Sequence, residues 1–122
     1  MKSIKFEAVF GLAPGYSHNN IDVVTPADAA SIWQEAARKI FEECGVYVSA
    51  TTHSSTTIYH QDWGCPAGGE KTVTFSGSAN PEFVKMGDYR YAVVSLVKLV
   101  KEILAQSTVT VEFWEIDHVY LS

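Results

Sequence analysis

The residues best equipped for chemistry fall in two stretches, DWGCPAGGE at positions 62–70 and SGSANPEFVKMGDYRY at positions 76–91. In the first, Cys65 follows His60 by five residues, a nucleophile with a base near it in sequence. Nucleophilic catalysis would also need a third group to orient that base, so two readings stay open, a thiol enzyme and a loop cysteine of no chemical consequence. Cys65 has no partner at C-x-x-C or H-x-x-x-H spacing, and His53 and His60, seven apart on a strand, face opposite sides of it. No metal or other cofactor is expected. Asp62 and Glu70 bracket the turn and do not form a paired acid and base. PAGGE lacks the Walker spacing and opens no helix, so it reads as the tip of a hairpin and not as a phosphate loop.

The second stretch is the better ligand site. KMGDYRY brings Gly87, backbone N–H groups, Lys85 and Arg90 together at a helix start, where the dipole favours an anion; Asp88 is the expected cap. Phe83, Tyr89 and Tyr91 lie in the same turn, and Tyr16 and His18 in the long loop after the first strand. A planar base would stack on Phe83 or a tyrosine while Arg90 or Lys85 pairs with phosphates. The candidate ligand-binding set is Phe83, Arg90, Tyr89, Lys85, Tyr16 and His18. The plain structural alternative is a capped helix with an exposed Arg90 and with Phe83 plugging the core.

The elements that must position these residues follow from periodicity. Residues 3–12 alternate Ile4, Phe6, Ala8, Phe10 and Leu12 against Lys5, Glu7 and Val9, the period of a half-buried strand. Residues 25–45 form a helix opened by Thr25, Pro26 and Asp28 and ended by Gly45. Its apolar stripe is Ala29, Ile32, Trp33, Ala36, Ile40, Phe41 and Cys44. Two β-rich runs then predict a hairpin, with Val73, Phe75 and Gly77 inward and Thr72, Thr74 and Ser76 outward. A second helix carries Val93, Leu96, Val97, Val100, Ile103 and Leu104. The last strand, TVTVEFWEIDHVYL, slips phase near Trp114 and Glu115, which predicts a bulge or a second short strand.

The order β-α-β-β-α-β predicts an α+β, ferredoxin-like fold, an antiparallel sheet with both helices on one face, in a single domain over 1–122. The opposite face carries Lys5, Glu7, Val9, Thr72, Thr74, Thr108, Thr110 and Glu112. It is expected to be either solvated or a homo-oligomeric contact, as a dimer or a multiple of dimers.

Bulk composition narrows the function. The formal net charge is −5, with arginine only at Arg38 and Arg90, which argues against a nucleic-acid polymer as partner. No apolar run reaches membrane-spanning length and the N-terminus has no cleavage motif, so a cytoplasmic protein is expected. Cys44 and Cys65 are expected to be reduced thiols.

By length, element order and the segments DWGCPAGGE, SGSANPEF and QSTVTVEFWEIDHVYL, the chain resembles the phage Thoeris anti-defence proteins of the first type. That resemblance implies a non-catalytic sponge that sequesters cyclic ADP-ribose isomers, and in some members cyclic oligonucleotides, in the host cytoplasm. It implies pockets between subunits, with Phe83 of ANPEF stacking on the base. The family's arginines do not carry over, since none follows Arg90. The first strand, loop and Trp-bearing helix also look like several uncharacterised ferredoxin-like families, which implies no activity.

The leading expectation is therefore a non-catalytic protein that captures a small cyclic nucleotide. The alternatives are a small ferredoxin-like enzyme, an isomerase or cofactor-free oxygenase, working between sheet and helices with His18 or His60 as base, or a protein-interaction domain that uses its Thr-rich face.

Overall fold

A computed structural model describes residues 1–13 and 24–122. Strand β1 (Lys2–Gly11) leads to helix α1 (Pro26–Cys44), strands β2 (Thr51–Thr57) and β3 (Glu70–Ser78), helix α2 (Met86–Ile103) and strand β4 (Thr110–Asp117). The sheet runs β2-β3-β1-β4, and each of its pairings is antiparallel. This is the expected α+β, ferredoxin-like arrangement. No helix among the described residues is long and apolar enough to cross a membrane.

Local signals set the first helix as the sequence predicts. The Thr25 hydroxyl accepts from the Asp28 N–H at 3.1 Å and the Asp28 carboxylate accepts from the Thr25 N–H at 3.2 Å, a complete capping box. Gly45 closes the helix at φ 76°, a left-handed position that suits a residue without Cβ. The second helix differs from expectation. Its cap is Lys85, without a side-chain hydrogen bond, and Asp88 sits inside the first turn.

The helices cover one sheet face through an aromatic core. Trp33 stacks on Phe75 at 4.4 Å between ring centroids and on Phe6 at 5.8 Å, and its indole N–H donates to the Val48 carbonyl. Phe41, Cys44 and Ile103, placed on apolar stripes by sequence, are exposed; Ala37, Tyr89 and Ala92 are buried instead. The predicted bulge is also absent, because β1 and β4 pair without interruption from Lys2↔Asp117 to Val9↔Thr110. That regular register keeps Glu7, Val9 and Gly11 on the uncovered face, beside Glu112 and Thr110.

Candidate functional site

The uncovered face is not a bare surface. At the end of the sheet where β1 finishes and β3 begins, it holds a cleft of about 750 Å³. Glu7, Val9 and Gly11 of β1, Glu70 and Thr72 of β3, and Thr110 and Glu112 of β4 make its floor. Tyr59 and Trp63, from the 58–69 connection, form one wall, and the 106–109 segment after α2 forms the other.

The wall containing Trp63 is held by turn chemistry. A short 3₁₀ helix, Gln61–Trp63, is capped by His60, whose Nδ1 accepts from the Asp62 N–H at 3.0 Å. Gly69 has φ 100°, and a Cβ there would lie 2.6 Å from Thr56 Cγ2, so the Gly-Gly pair is what lets the connection return into β3. The Tyr59 N–H donates to buried Cys65 Sγ at 3.5 Å, and the Tyr59 hydroxyl donates to Glu70 Oε2 at 2.8 Å. Ser55, Thr57, Thr72 and Thr74 link their hydroxyls across β2 and β3 at 2.7–3.1 Å. The Thr-rich pattern is thus a hydroxyl network that braces this end of the sheet.

Charge decides what the cleft can hold. Glu7, Glu70 and Glu112 line it, and among the described residues no Lys, Arg or His does. Glu7 and Glu112 face each other directly across the β1–β4 ladder, a like-charge pairing that destabilises a sheet. Such a site attracts a cation or a donor-rich ligand and repels phosphate. Three groups of His, Cys, Asp or Glu close enough to hold a metal ion are not found among the described residues.

The residues expected to bind a ligand fall elsewhere. Phe83 is 75% exposed and meets Tyr120 edge-on at 5.8 Å. Phe83 and Tyr89 do share a smaller pocket of about 330 Å³ with Tyr47 and Asn80, but neither Lys85 nor Arg90 lines it. The Arg90 guanidinium lies over the Phe113 ring at 4.4 Å, and Tyr89 is buried against Phe6. Tyr16 and His18 lie outside the described residues. His60, a suggested base, is tied to the Asp62 N–H and is absent from the lining of either pocket. The space between sheet and helices, suggested for an enzyme, is filled by the aromatic core. Sequence reasoning placed Glu7, Val9, Thr72, Thr110 and Glu112 on one face but treated them as solvated or as a contact. It passed over Tyr59, Gly11 and Gln106; the missed signal was the cross-strand repetition of glutamate at the Thr- and Val-rich end of this face.

Comparison with known proteins corrects the functional expectation. The family model described as SAM lyase matches residues 1–122. A solved phage SAM lyase in complex with S-methyl-5'-thioadenosine is 20% identical, covers 93% of this chain and 81% of its own, and has a TM-score of 0.65. A phage SAM lyase in the apo state is 16% identical, with 99% and 94% covered and a TM-score of 0.63. Curated proteins give no match. The expected non-catalytic sponge for a cyclic ADP-ribose isomer or other cyclic nucleotide is overturned by this family match, and so is the expectation that the protein is not an enzyme. The physical reason is visible in the cleft, whose carboxylates oppose the phosphates on which a cyclic nucleotide depends. With its whole length matched by the family model, and with the fold of two solved lyases, this chain belongs to the SAM lyase family.

Proposed function

We propose that this protein cleaves S-adenosylmethionine without water, in the acidic cleft on the uncovered sheet face, and releases methylthioadenosine. The observation that carries the reading is the opposed Glu7–Glu112 pair in a cleft that also holds Glu70 and, among the described residues, no basic side chain. S-adenosylmethionine brings two cations, a sulfonium and an α-ammonium, and carries no phosphate. At roughly 6 Å and an effective dielectric near 60, each carboxylate attracts such a cation by about 1 kcal/mol. Trp63, 73% exposed at the cleft wall, offers a face on which adenine can stack.

The bond changes balance within the substrate. An oxygen of its own carboxylate bonds to the γ carbon as the bond from that carbon to sulfur breaks. The electron pair of the broken bond goes to sulfur, which leaves as the neutral thioether of methylthioadenosine. The four-carbon remainder closes as a lactone and keeps its ammonium. No proton or water enters, so the protein's task is to fold the methionine portion into an attack geometry, where proximity alone is worth many orders of magnitude in rate. Tyr59, by donating to Glu70 Oε2, fixes the carboxylate around which that portion folds. A phage origin, as for the two solved lyases, would make the reaction a removal of the host's methyl donor.

The test is to incubate the purified protein with S-adenosylmethionine alone and follow both compounds by chromatography. The proposal expects stoichiometric methylthioadenosine, and a Trp63→Ala variant with raised KM. Unchanged substrate in the presence of folded wild-type protein would overturn it.

A further inference from the structure

One corner of the cleft is built around a missing side chain. A Cβ placed on Gly11 would lie 2.5 Å from Gln106 Oε1 and 2.5 Å from Glu70 Oε1. The two oxygens therefore converge, Glu70 from the floor and Gln106 from the wall after α2, on one point above the β1 backbone. Each is fixed there by bonds made through the other end of its group. Gln106 is 92% buried, its residual exposure being 8%, and its Nε2 donates to the carbonyls of Ala13 and Leu104. The amide is thereby oriented, with Oε1 left as an acceptor toward the cleft. Glu70 Oε2 accepts from Tyr59, which leaves Oε1 for the same point.

The backbone bears a strain that supports this placement. Ala105, immediately before Gln106, has φ 52°, the left-handed region that a residue with Cβ seldom adopts. The Ala105 N–H donates to the Glu102 carbonyl and the Gln106 N–H to the Lys101 carbonyl. The chain thus leaves α2 through a Schellman turn, with alanine where glycine is usual. Its result is to turn Gln106 back toward the cleft.

We infer that Gln106 Oε1 and Glu70 Oε1, over the gap left by Gly11, form the subsite for the α-ammonium group of the substrate's amino-acid portion. The inference rests on the lyase reading above and assigns one part of the ligand within it. Two acceptors, one of them anionic, fit a primary ammonium, which has several donors and a full charge. Assigning Glu70 to the sulfonium instead would work against catalysis. Positive charge on sulfur disappears as the bond breaks, so a carboxylate held against sulfur stabilises the ground state more than the transition state. The ammonium keeps its charge throughout, and binding it costs no rate. Val9 and Val109, also lining the cleft, are apolar surfaces suited to the departing thioether. Gln106 is thus a specificity-determining and positioning residue, and Gly11 is required because any Cβ would occupy the ammonium's place.

The test compares three ligands on wild type, Gln106→Met and Gly11→Ala: S-adenosylmethionine, its analogue lacking the α-amino group, and methylthioadenosine, which lacks the amino-acid portion entirely. Wild type should bind the substrate about 10- to 100-fold more tightly than the desamino analogue, the worth of hydrogen bonds to a charged donor. In Gln106→Met that ratio should fall several-fold and in Gly11→Ala toward one, while methylthioadenosine affinity stays within about twofold in both. Because the readout is a ratio and the third ligand reports an intact cleft, a variant that merely folds poorly is recognised by loss of methylthioadenosine binding; the wild-type ratio then decides alone. A wild-type ratio near one, or a variant that loses substrate and methylthioadenosine equally while folded, overturns the assignment. Failure of wild type to bind methylthioadenosine or turn over substrate would instead refute the lyase reading itself.

Discussion

Replacing Glu112 with Gln should make the protein more stable and a poorer enzyme. Glu112 stands directly opposite Glu7 in the β1–β4 register, where Cβ atoms of such pairs are ~5 Å apart and like charges cost about 0.5 to 1 kcal/mol. Removing one charge while keeping the shape recovers that cost. For a chain of 122 residues, an unfolding entropy of about 2 cal/mol/K per residue converts the gain to a rise in Tm of roughly 2–4 °C. The same charge attracts the substrate by about 1 kcal/mol, so KM should rise roughly fivefold. The assay is thermal unfolding at low salt and at about 0.5 M salt, with initial rates measured alongside. The stability gain should shrink at high salt, where the Debye length falls to a few ångströms. A Tm that falls, or does not move at low salt, would refute the view that this pairing is a cost carried for a cationic ligand.

Glu70→Gln should keep the fold, lower kcat/KM by about 10²-fold and weaken methylthioadenosine much less, as kinetics with product inhibition would show. Tyr89→Phe should raise stability by about 1 kcal/mol in chemical denaturation, because the buried Tyr89 hydroxyl has no hydrogen-bond partner among the described residues. Burial pushes the Tyr89 phenol well above its ordinary value. Its folded-state pKa is therefore higher than the unfolded one near ~10, and the neutral phenol's contribution is fully present below that pH and is lost as pH rises beyond it. Wild type should thus lose stability above pH ~10 more steeply than Tyr89→Phe, in parallel melts across that range. Ala105→Gly should relieve the left-handed φ of 52° and raise stability by about 0.5 to 1 kcal/mol.

The fold was legible where one physical signal dominated. Alternation in β1, the Thr25–Asp28 capping box and the left-handed Gly45 are local, and each predicted what the structure contains. The α2 cap was misplaced because Asp88, a good cap by type, lies three residues inside a helix whose start is set by the turn after β3. The predicted bulge at Trp114 failed for a similar reason. Ladder pairing with β1 holds the strand regular, so Trp114 faces outward under the Lys5 ammonium, 5.5 Å from its ring centroid.

The site was harder to see because no local motif encodes it. Glu7, Glu70 and Glu112 are more than 40 residues apart in sequence at each step, and only the strand order β3-β1-β4 brings them to one cleft. Nucleophile, metal-ligand and phosphate-loop patterns pass over three glutamates that no local motif links. Sequence reasoning was drawn instead to Lys85, Arg90 and Phe83, whose grouping at a helix start is real in sequence; in the structure Arg90 packs on Phe113 and Phe83 against Tyr120. The sign of the charge on the uncovered face was the available clue.

The most direct test of the central claim is the mass and labelling of the four-carbon product formed from S-adenosylmethionine in ¹⁸O-water at early times. The account predicts methylthioadenosine together with an unlabelled fragment whose mass is that of the substrate less methylthioadenosine. A fragment heavier by one labelled water, with the label on its terminal carbon, would show that water attacks at the γ carbon and would contradict a lyase.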